Sequence, residues 1–184
     1  IAEANRKNDI PWPFSMRFPL NGWRLAFAPK PEVFNFEAYE DATVARGAYL
    51  VQGLGHCGSC HTPRALTLNE KAYSERDQHG ELFLSGGNAP IEGWVATSLR
   101  GENLTGLGRT SEEQLFQFLK TGRNDTSAAF GGMRDVIIHS LQHLTDEDLQ
   151  AMARYLKSLP AFADEESYQY DDAVARALFN GDAS

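Results

Sequence analysis

Five consecutive residues, Cys57-Gly-Ser-Cys-His61, place two thiols and an imidazole on little more than one helical turn. Because the thiols are three positions apart, each can form a thioether bond to a vinyl group on the same edge of a porphyrin. The histidine after the second cysteine is then held beneath the ring with an imidazole nitrogen facing the iron. This pattern is the attachment signature of c-type haem. It predicts Cys57 and Cys60 as attachment sites and His61 as an axial ligand.

The two cysteines have competing uses that remain open at this stage. A structural zinc site needs four ligands. The candidates for the other two ligands, His139 and His143, lie far outside the compact spacing of a zinc finger. A dithiol redox site is typical of a βαβ neighbourhood, and this sequence has no such pattern. A disulfide framework is excluded, because Cys57 and Cys60 are the whole cysteine content of the chain. Haem attachment is the interpretation that the motif favours.

Haem iron takes a second axial ligand, and the chain has only three methionines to offer as thioether ligands. Met16 precedes the motif, and Met152 lies on the apolar face of a predicted helix, where core packing explains it. Met133 falls in an aperiodic segment that we predict as a loop able to extend toward the iron, so it is the preferred distal ligand. His139 and His143 compete with it but are predicted to face solvent.

The identity of the distal ligand separates two functions. A thioether ligand raises the reduction potential relative to a second imidazole and leaves no open position on the iron, which favours electron transfer. A labile sixth ligand would instead favour a haem-based sensor or ligand-binding domain. Both hypotheses are carried forward, with electron transfer as the first.

Composition and charge exclude several other classes of protein. The 184 residues carry 17 Lys and Arg against 25 Asp and Glu, a net charge of −8, which argues against binding nucleic acid. No run of about 18 apolar residues is present, so no membrane span is predicted. The chain begins at Ile1 without a visible signal peptide, and we expect that it was processed or cut from a longer protein.

The elements that would position this chemistry are helices and irregular chain. Residues 1–35 hold five of the 8 prolines, interleaved with aromatic residues, and are predicted as an arm packed over a neighbouring domain, with a helix at most over residues 21–27. A helix beginning near Phe36 and running over residues 39–54 contains Gly47, which indicates a close helix crossing against Tyr155. Residues 62–109 are rich in glycine and aperiodic, as expected for a wrap around a ligand.

Two further helices have clear start signals. A capping box over residues 110–113 opens a helix that Gly122 closes, and Thr145 opens a last helix over residues 146–158 that Pro160 ends. No alternating strand pattern of useful length is present. The sequence therefore predicts an all-α fold.

Several segments together resemble one haem domain of the multihaem cytochrome c subunits of bacterial membrane-bound dehydrogenases, including those of alcohol, gluconate, sorbitol and aldehyde dehydrogenases. The segments that carry the resemblance are Ala45-Arg-Gly-Ala-Tyr-Leu-Val51, Gly55-His-Cys-Gly-Ser-Cys-His-Thr-Pro-Arg64, Leu119-Lys-Thr-Gly-Arg-Asn-Asp125 and Leu144-Thr-Asp-Glu-Asp-Leu-Gln-Ala-Met-Ala-Arg-Tyr-Leu-Lys-Ser-Leu-Pro160. The resemblance implies a class I cytochrome c-like fold over residues 36–162. It also implies that residues 1–35 and the acidic residues 163–184 are connectors to neighbouring haem domains, so that this domain is the middle of three.

The resemblance also assigns roles to single residues. Cys57 and Cys60 would attach one haem c, with His61 as the proximal and Met133 as the distal iron ligand. The remaining positions that it places beside the haem are Pro63, Arg64, Trp94 and Arg123, with Arg64 or Arg123 able to neutralise a propionate. One departure from the resemblance follows Trp94, where Ala96-Thr-Ser-Leu99 stands in place of Ala-Pro-Asn-Leu. Ser98 is the candidate to replace the contact of that asparagine.

The function implied by the resemblance is a one-electron relay. In such complexes a partner subunit oxidises the substrate with a flavin, quinoprotein or molybdenum cofactor. The haem subunit passes the electrons toward ubiquinone or another acceptor. The chain would then be no enzyme by itself, and we expect a periplasmic location with membrane association through parts outside this sequence.

Overall fold

A computed structural model describes residues 9–12, 15–90 and 93–162. These residues form six α-helices: α1 (Pro19–Phe27), α2 (Ala42–Tyr49), α3 (Gly58–His61), α4 (Glu112–Thr121), α5 (Gly132–His139) and α6 (Asp146–Ser158). Short 3₁₀ turns lie at Phe36–Ala38, Gly80–Leu82 and Leu141–His143. The described ranges contain two isolated β-bridges and no strand, which confirms the all-α prediction. None of the helices in these ranges is long and apolar enough to cross a membrane.

The helix predicted over residues 39–54 begins later than expected and changes its winding. Asp41 caps it by accepting hydrogen bonds from the backbone N–H groups of Thr43 and Val44, because an extended Asp at this position satisfies the first free donors of the helix. The Phe36–Ala38 turn, capped by Asn35, precedes it as a separate element. After Tyr49 the helix widens into a π-helical turn over Leu50–Leu54. The cysteine motif begins three residues after this turn.

Helices α2 and α6 cross at Gly47, as predicted. A Cβ atom at this glycine would overlap the carbonyl oxygen of Ala151 and lie 2.7 Å from the Cβ atom of Tyr155. Helix α4 packs on the same helix α6, so α6 lies at the centre of the helical core. The core residues that are shielded from solvent include Val51, Leu119, Leu149, Met152 and Leu156. The prediction that Met152 fills the core is confirmed.

The helix caps agree with the sequence signals except for one shift. At α4 the capping box is formed by Ser111 and Gln114, one residue later than predicted, and Gly122 ends the helix in the left-handed conformation with φ of 75°. The prediction of a box over residues 110–113 was wrong because the extended residue that precedes the helix is Ser111. At α6 the Thr145 side chain accepts from the backbone N–H of Asp148, as predicted.

A polar cluster ties the widened end of α2 to α6 and to the irregular segment. The Glu75 carboxylate accepts hydrogen bonds from the Tyr39 hydroxyl (2.7 Å), the Gln52 amide (2.8 Å) and the Tyr155 hydroxyl (2.5 Å). Burial and the neighbouring Glu75 charge raise the pKa of Tyr155 far above its ordinary value, so this phenol remains a hydrogen-bond donor. Because the partners come from three separate segments, the cluster fixes the start of the irregular wrap against the helices.

The proline-rich arm contains helix α1, which begins at Pro19, two residues before the predicted limit, because proline is well suited to the first helical turn. The helix buries none of its residues, and Leu25 is 91% exposed. The indole Nε1–H group of Trp23 in this helix donates a hydrogen bond to the Thr67 carbonyl oxygen at 2.6 Å. The predicted packing of this arm on a neighbouring domain stays a prediction, and the connector predicted over residues 163–184 lies outside the described residues.

An ion pair across the α2–α6 crossing gives a pH prediction. Arg46 donates to both carboxylate oxygens of Asp148, at 2.8 and 2.9 Å, and these hydrogen bonds lower the pKa of Asp148. A lowered folded-state pKa contributes stability above the unfolded pKa of about 3.9, and this contribution is lost as the pH falls. We expect Asp148→Asn to cost less than about 1 kcal/mol at pH 7, because the pair is near the surface. Urea titrations at pH 7 and pH 3 should show that the difference from the wild type shrinks in acid.

Candidate haem site

The cysteine motif forms its own short helix at the end of the π-helical turn. Cys57 precedes α3 as its N-cap residue, and its backbone N–H donates to the Val51 carbonyl oxygen at 3.1 Å, so the motif is anchored to α2. Both cysteines are free and half-buried. Burial raises the pKa of the Cys57 thiol to about 12, which keeps it protonated at neutral pH. This is the opposite of the lowered pKa that a redox-active dithiol requires.

His61 ends α3 and is oriented by a backbone carbonyl. Its Nδ1 lies 2.8 Å from the Thr97 carbonyl oxygen, which can only accept, so Nδ1 carries the proton. The Nε2 atom is thereby left with its lone pair, as an axial iron ligand needs. Burial lowers the pKa of His61, while the hydrogen bond to Thr97 opposes this shift. The neutral imidazole is therefore the favoured form.

Two adjacent glycines allow the irregular segment to pass directly against the motif. The Gly86 N–H donates to the His61 carbonyl oxygen at 2.8 Å, and a Cβ atom at Gly87 would overlap the carbonyl oxygen of Cys60. The buried Thr62 hydroxyl accepts from the Leu84 N–H at 3.0 Å on the same side. These contacts fix the end of α3, so that the orientation of His61 is set by the backbone on both sides.

The half-buried Arg64 side chain forms hydrogen bonds with the cysteine motif and with the chain that follows it. Its guanidinium donates to the carbonyl oxygens of Ser59 (2.8 Å) and Leu68 (2.5 Å). Its backbone forms a reciprocal pair with Asn88, whose side chain accepts from the Arg64 N–H at 2.8 Å and donates to the Arg64 carbonyl at 3.0 Å. Pro63, half-buried, accepts from the Lys71 N–H at 3.0 Å. Arg64 thus stabilises the turn formed by residues 57–61, and the sequence did not predict this role.

Met133 lies in a helix and not in the loop that we predicted. It is the second residue of α5, whose N-cap Gly131 has a φ of 54°. Two glycines at the start and the β-branched residues that follow weaken the helical pattern, which explains why the helix was missed. Met133 is half-buried and packs against the hydrophobic core. Its side chain is therefore positioned by a helical turn rather than by a free loop.

The segment that carries Thr97 also reaches the chain next to Met133. Trp94 packs edge-on against Phe130, with 4.7 Å between ring centroids, and a Cβ atom at Gly131 would lie 3.5 Å from Trp94 Cδ1. Trp94 is 58% exposed and Phe130 is 60% exposed, so both rings leave apolar surface uncovered. One short segment thus contacts His61 at one end and the residues before Met133 at the other.

Arg123 is exposed. Together with Arg134 it lines a cavity of about 370 Å³ whose wall includes Thr121, Ile137 and Ile138. Ser98, proposed to replace an asparagine contact, is buried and donates to Glu102 Oε2 at 2.8 Å. It therefore stabilises the turn that follows Thr97.

The competing histidines lie at the end of α5 and at the end of the 3₁₀ turn that follows it. His139 and His143 are exposed, and His143 Nε2 lies 3.1 Å from the Ile138 carbonyl oxygen. Across the described parts of the chain, no group of three or more His, Cys, Asp or Glu residues is arranged to hold a metal ion. The zinc interpretation therefore finds no further ligands in these ranges.

The residues present fit a covalently bound haem. Two free thiols lie on one helical turn, a neutral imidazole offers Nε2, a thioether lies in a half-buried position, and exposed aromatic rings flank the segment between them. Sequence reasoning missed the Thr97 carbonyl, because a backbone oxygen leaves no signal in residue type. It also missed Asn88, which is an ordinary polar residue without a motif around it.

Comparison with known proteins gives close relatives along the whole chain. No family model matches it. The chain is 58% identical over 185 residues to the gluconate 2-dehydrogenase cytochrome c subunit of Pantoea cypripedii, covering 100% of this chain and 42% of the relative. It is 49% identical over 180 residues to the alcohol dehydrogenase (quinone) cytochrome c subunit of Gluconobacter oxydans, covering 98% and 37%. The fructose dehydrogenase cytochrome subunit of Gluconobacter japonicus is 41% identical over 162 residues, covering 86% and 30%.

The helical fold and the Cys-x-x-Cys-His turn are features that this chain shares with the cytochrome c class. Within this class, the chain is the homologue of one part of the cytochrome c subunits of bacterial dehydrogenases, which confirms the resemblance seen in the sequence. It spans less than half the length of these relatives. The relatives are cytochrome subunits of dehydrogenases, which agrees with the expectation of an electron-transfer module rather than a catalytic subunit.

Proposed function

We propose that this chain is a class I cytochrome c domain that carries one covalently attached haem c. It relays single electrons from a dehydrogenase subunit toward ubiquinone or another respiratory acceptor. The observation that carries this proposal is the α3 turn. It presents both thiols of Cys57 and Cys60, while the Thr97 carbonyl holds His61 in the tautomer required for iron ligation. The haem, when bound, supplies an iron centre that accepts and returns one electron.

The protein residues have separate tasks in this proposal. Cys57 and Cys60 would form the two covalent attachments, and His61 and Met133 would supply the two protein ligands of the iron. Trp94, which packs on Phe130, would supply an apolar ring beside the haem. With both iron ligands supplied by the protein, substrate and oxygen would be kept from the iron, and this would favour electron transfer over ligand sensing.

The neighbours of this domain are part of the proposal. The gluconate and alcohol dehydrogenase relatives are more than twice as long as the matched region, which leaves room for further domains. We infer that this chain is the middle of three haem domains and that residues 1–35 and 163–184 connect to the others. The electron donor is the catalytic dehydrogenase subunit, and the location is the periplasm, with membrane association through other parts of the longer protein.

Covalent attachment is the decisive test. The chain, expressed in the periplasm of a host with c-type haem maturation, should retain one haem per chain after acid–acetone extraction. The Cys57→Ser, Cys60→Ser double variant should lose its haem under the same treatment, because no thioether bond remains. Extractable haem in the wild-type protein, or zinc in place of iron by metal analysis, would refute the proposal.

A further inference from the structure

A buried carboxylate lies beside residues 57–61, which we call the haem-attachment turn. This carboxylate has no role in the function proposed above. Glu70 is 5% exposed, and its Oε1 atom accepts a hydrogen bond from His56 Nε2 at 2.9 Å. The Arg64 guanidinium lies 4.0 Å from the same oxygen. A buried carboxylate is costly unless charged or hydrogen-bonding partners compensate it, so this arrangement is held by specific contacts.

The partners of Glu70 flank the motif on both sides. His56 directly precedes Cys57, and Arg64 follows His61 by three residues while also donating to the Ser59 carbonyl oxygen inside the motif. The carboxylate also touches the turn itself, since a Cβ atom at Gly58 would lie 2.7 Å from Glu70 Oε2. Glu70 therefore contacts the residue before the haem-attachment turn, His56, the turn itself at Gly58, and Arg64 after it.

The hydrogen bond between His56 and Glu70 opposes an unfavourable backbone conformation at His56. His56 has a φ of 41°, in the left-handed region, which is unfavourable for a residue with a Cβ atom. A conformation of this kind persists only where the surrounding structure determines it. The hydrogen bond from His56 to the buried Glu70 is the side-chain contact that holds it.

We propose that Glu70 is a positioning residue that holds the Cys57–His61 turn and lowers the reduction potential of the bound haem, with Arg64 acting in the opposite direction. This inference rests on the proposed haem site. Reduction adds an electron to the iron centre, so a nearby buried negative charge disfavours the reduced form and a positive charge favours it. In the low-dielectric surroundings of Glu70 these charges are poorly screened.

Two substitutions with opposite signs test the inference. In the haem-loaded protein, Glu70→Gln should shift the midpoint potential upward, because it removes the negative charge and preserves the shape. Arg64→Gln should shift the potential downward. The exposed residues Glu40 and Arg109 supply matched controls, and Glu40→Gln and Arg109→Gln should leave the potential unchanged. Spectroelectrochemical titration gives the potentials, and absorption spectra check that the axial ligands are retained.

The opposite signs separate a charge effect from simple loosening. A looser site would admit water and shift both variants in the same direction, so equal signs, or no shift in either variant at full haem content, would overturn the inference. If Glu70→Gln carries no haem, Arg64→Gln still decides, since a potential that is unchanged or raised contradicts the proposed role. A wild-type protein without covalent haem would instead refute the proposed function, and this outcome is read separately from the extraction test.

Discussion

Replacing Gly47 by alanine should lower the free energy of unfolding by about 2 kcal/mol or more, although alanine is the better helix former. The helix propensity gained is about 1 kcal/mol. The added methyl group, however, meets the Ala151 carbonyl oxygen and the Tyr155 Cβ atom, and both belong to the facing helix rather than to a flexible side-chain end. Because the added methyl group overlaps the backbone of the facing helix, we place the cost of overpacking at the upper end of the usual range, about 3 kcal/mol or more. This exceeds the propensity gain by about 2 kcal/mol or more. Urea denaturation followed by circular dichroism measures the difference.

Gly53 offers the matched control in the same stretch of chain. It is exposed, its φ is not positive, and a Cβ atom there would have no heavy atom within 4 Å. Gly53→Ala should therefore leave stability unchanged or raise it slightly. If Gly47→Ala and Gly53→Ala unfold at the same urea concentration, the α2–α6 crossing is not as close as the structure shows.

The helix crossing was predictable from the sequence because its cause is local. A glycine within an apolar periodic stretch has few explanations other than close approach, and Tyr155 lies on the apolar face of a helix with a clear start at Thr145. The helical turn that carries Cys57 and Cys60 was predictable for the same reason, since its motif consists of five consecutive residues. Signals of this kind survive without knowledge of the tertiary structure.

The supports of the site were not predictable, because they depend on contacts between distant segments. Thr97 acts through its carbonyl oxygen, and Glu70 acts because the chain buries it beside residues 56–64. The resemblance assigned Arg64 to a haem propionate, which stays a prediction, and the hydrogen bonds of its guanidinium to the Ser59 and Leu68 carbonyl oxygens left no signal in the sequence. A long charged side chain has many possible partners, and only the folded backbone selects among them.

Met133→Leu is the substitution with the largest expected effect on the proposed chemistry. It keeps the volume of the side chain and its packing against the core, but removes the sulfur atom. The weak sulfur–iron charge-transfer band at the red end of the spectrum should disappear, and the reduction potential should fall, because a thioether ligand raises it. The reduced variant should also bind carbon monoxide rapidly, which the wild-type protein should not do. Absorption spectra and carbon monoxide titration of the haem-loaded protein record these changes.

Met152→Leu makes the same chemical change at a buried position that the structure places in the core of α6. It should cost less than about 1.5 kcal/mol of stability and leave the charge-transfer band and the potential intact. The pair therefore separates loss of a ligand from loss of a methionine in the core. A band that survives in Met133→Leu would show that another residue ligates the iron. Rapid carbon monoxide binding by the wild-type protein would favour the ligand-binding sensor over the electron relay, because a sensor needs the sixth position that Met133 is proposed to fill.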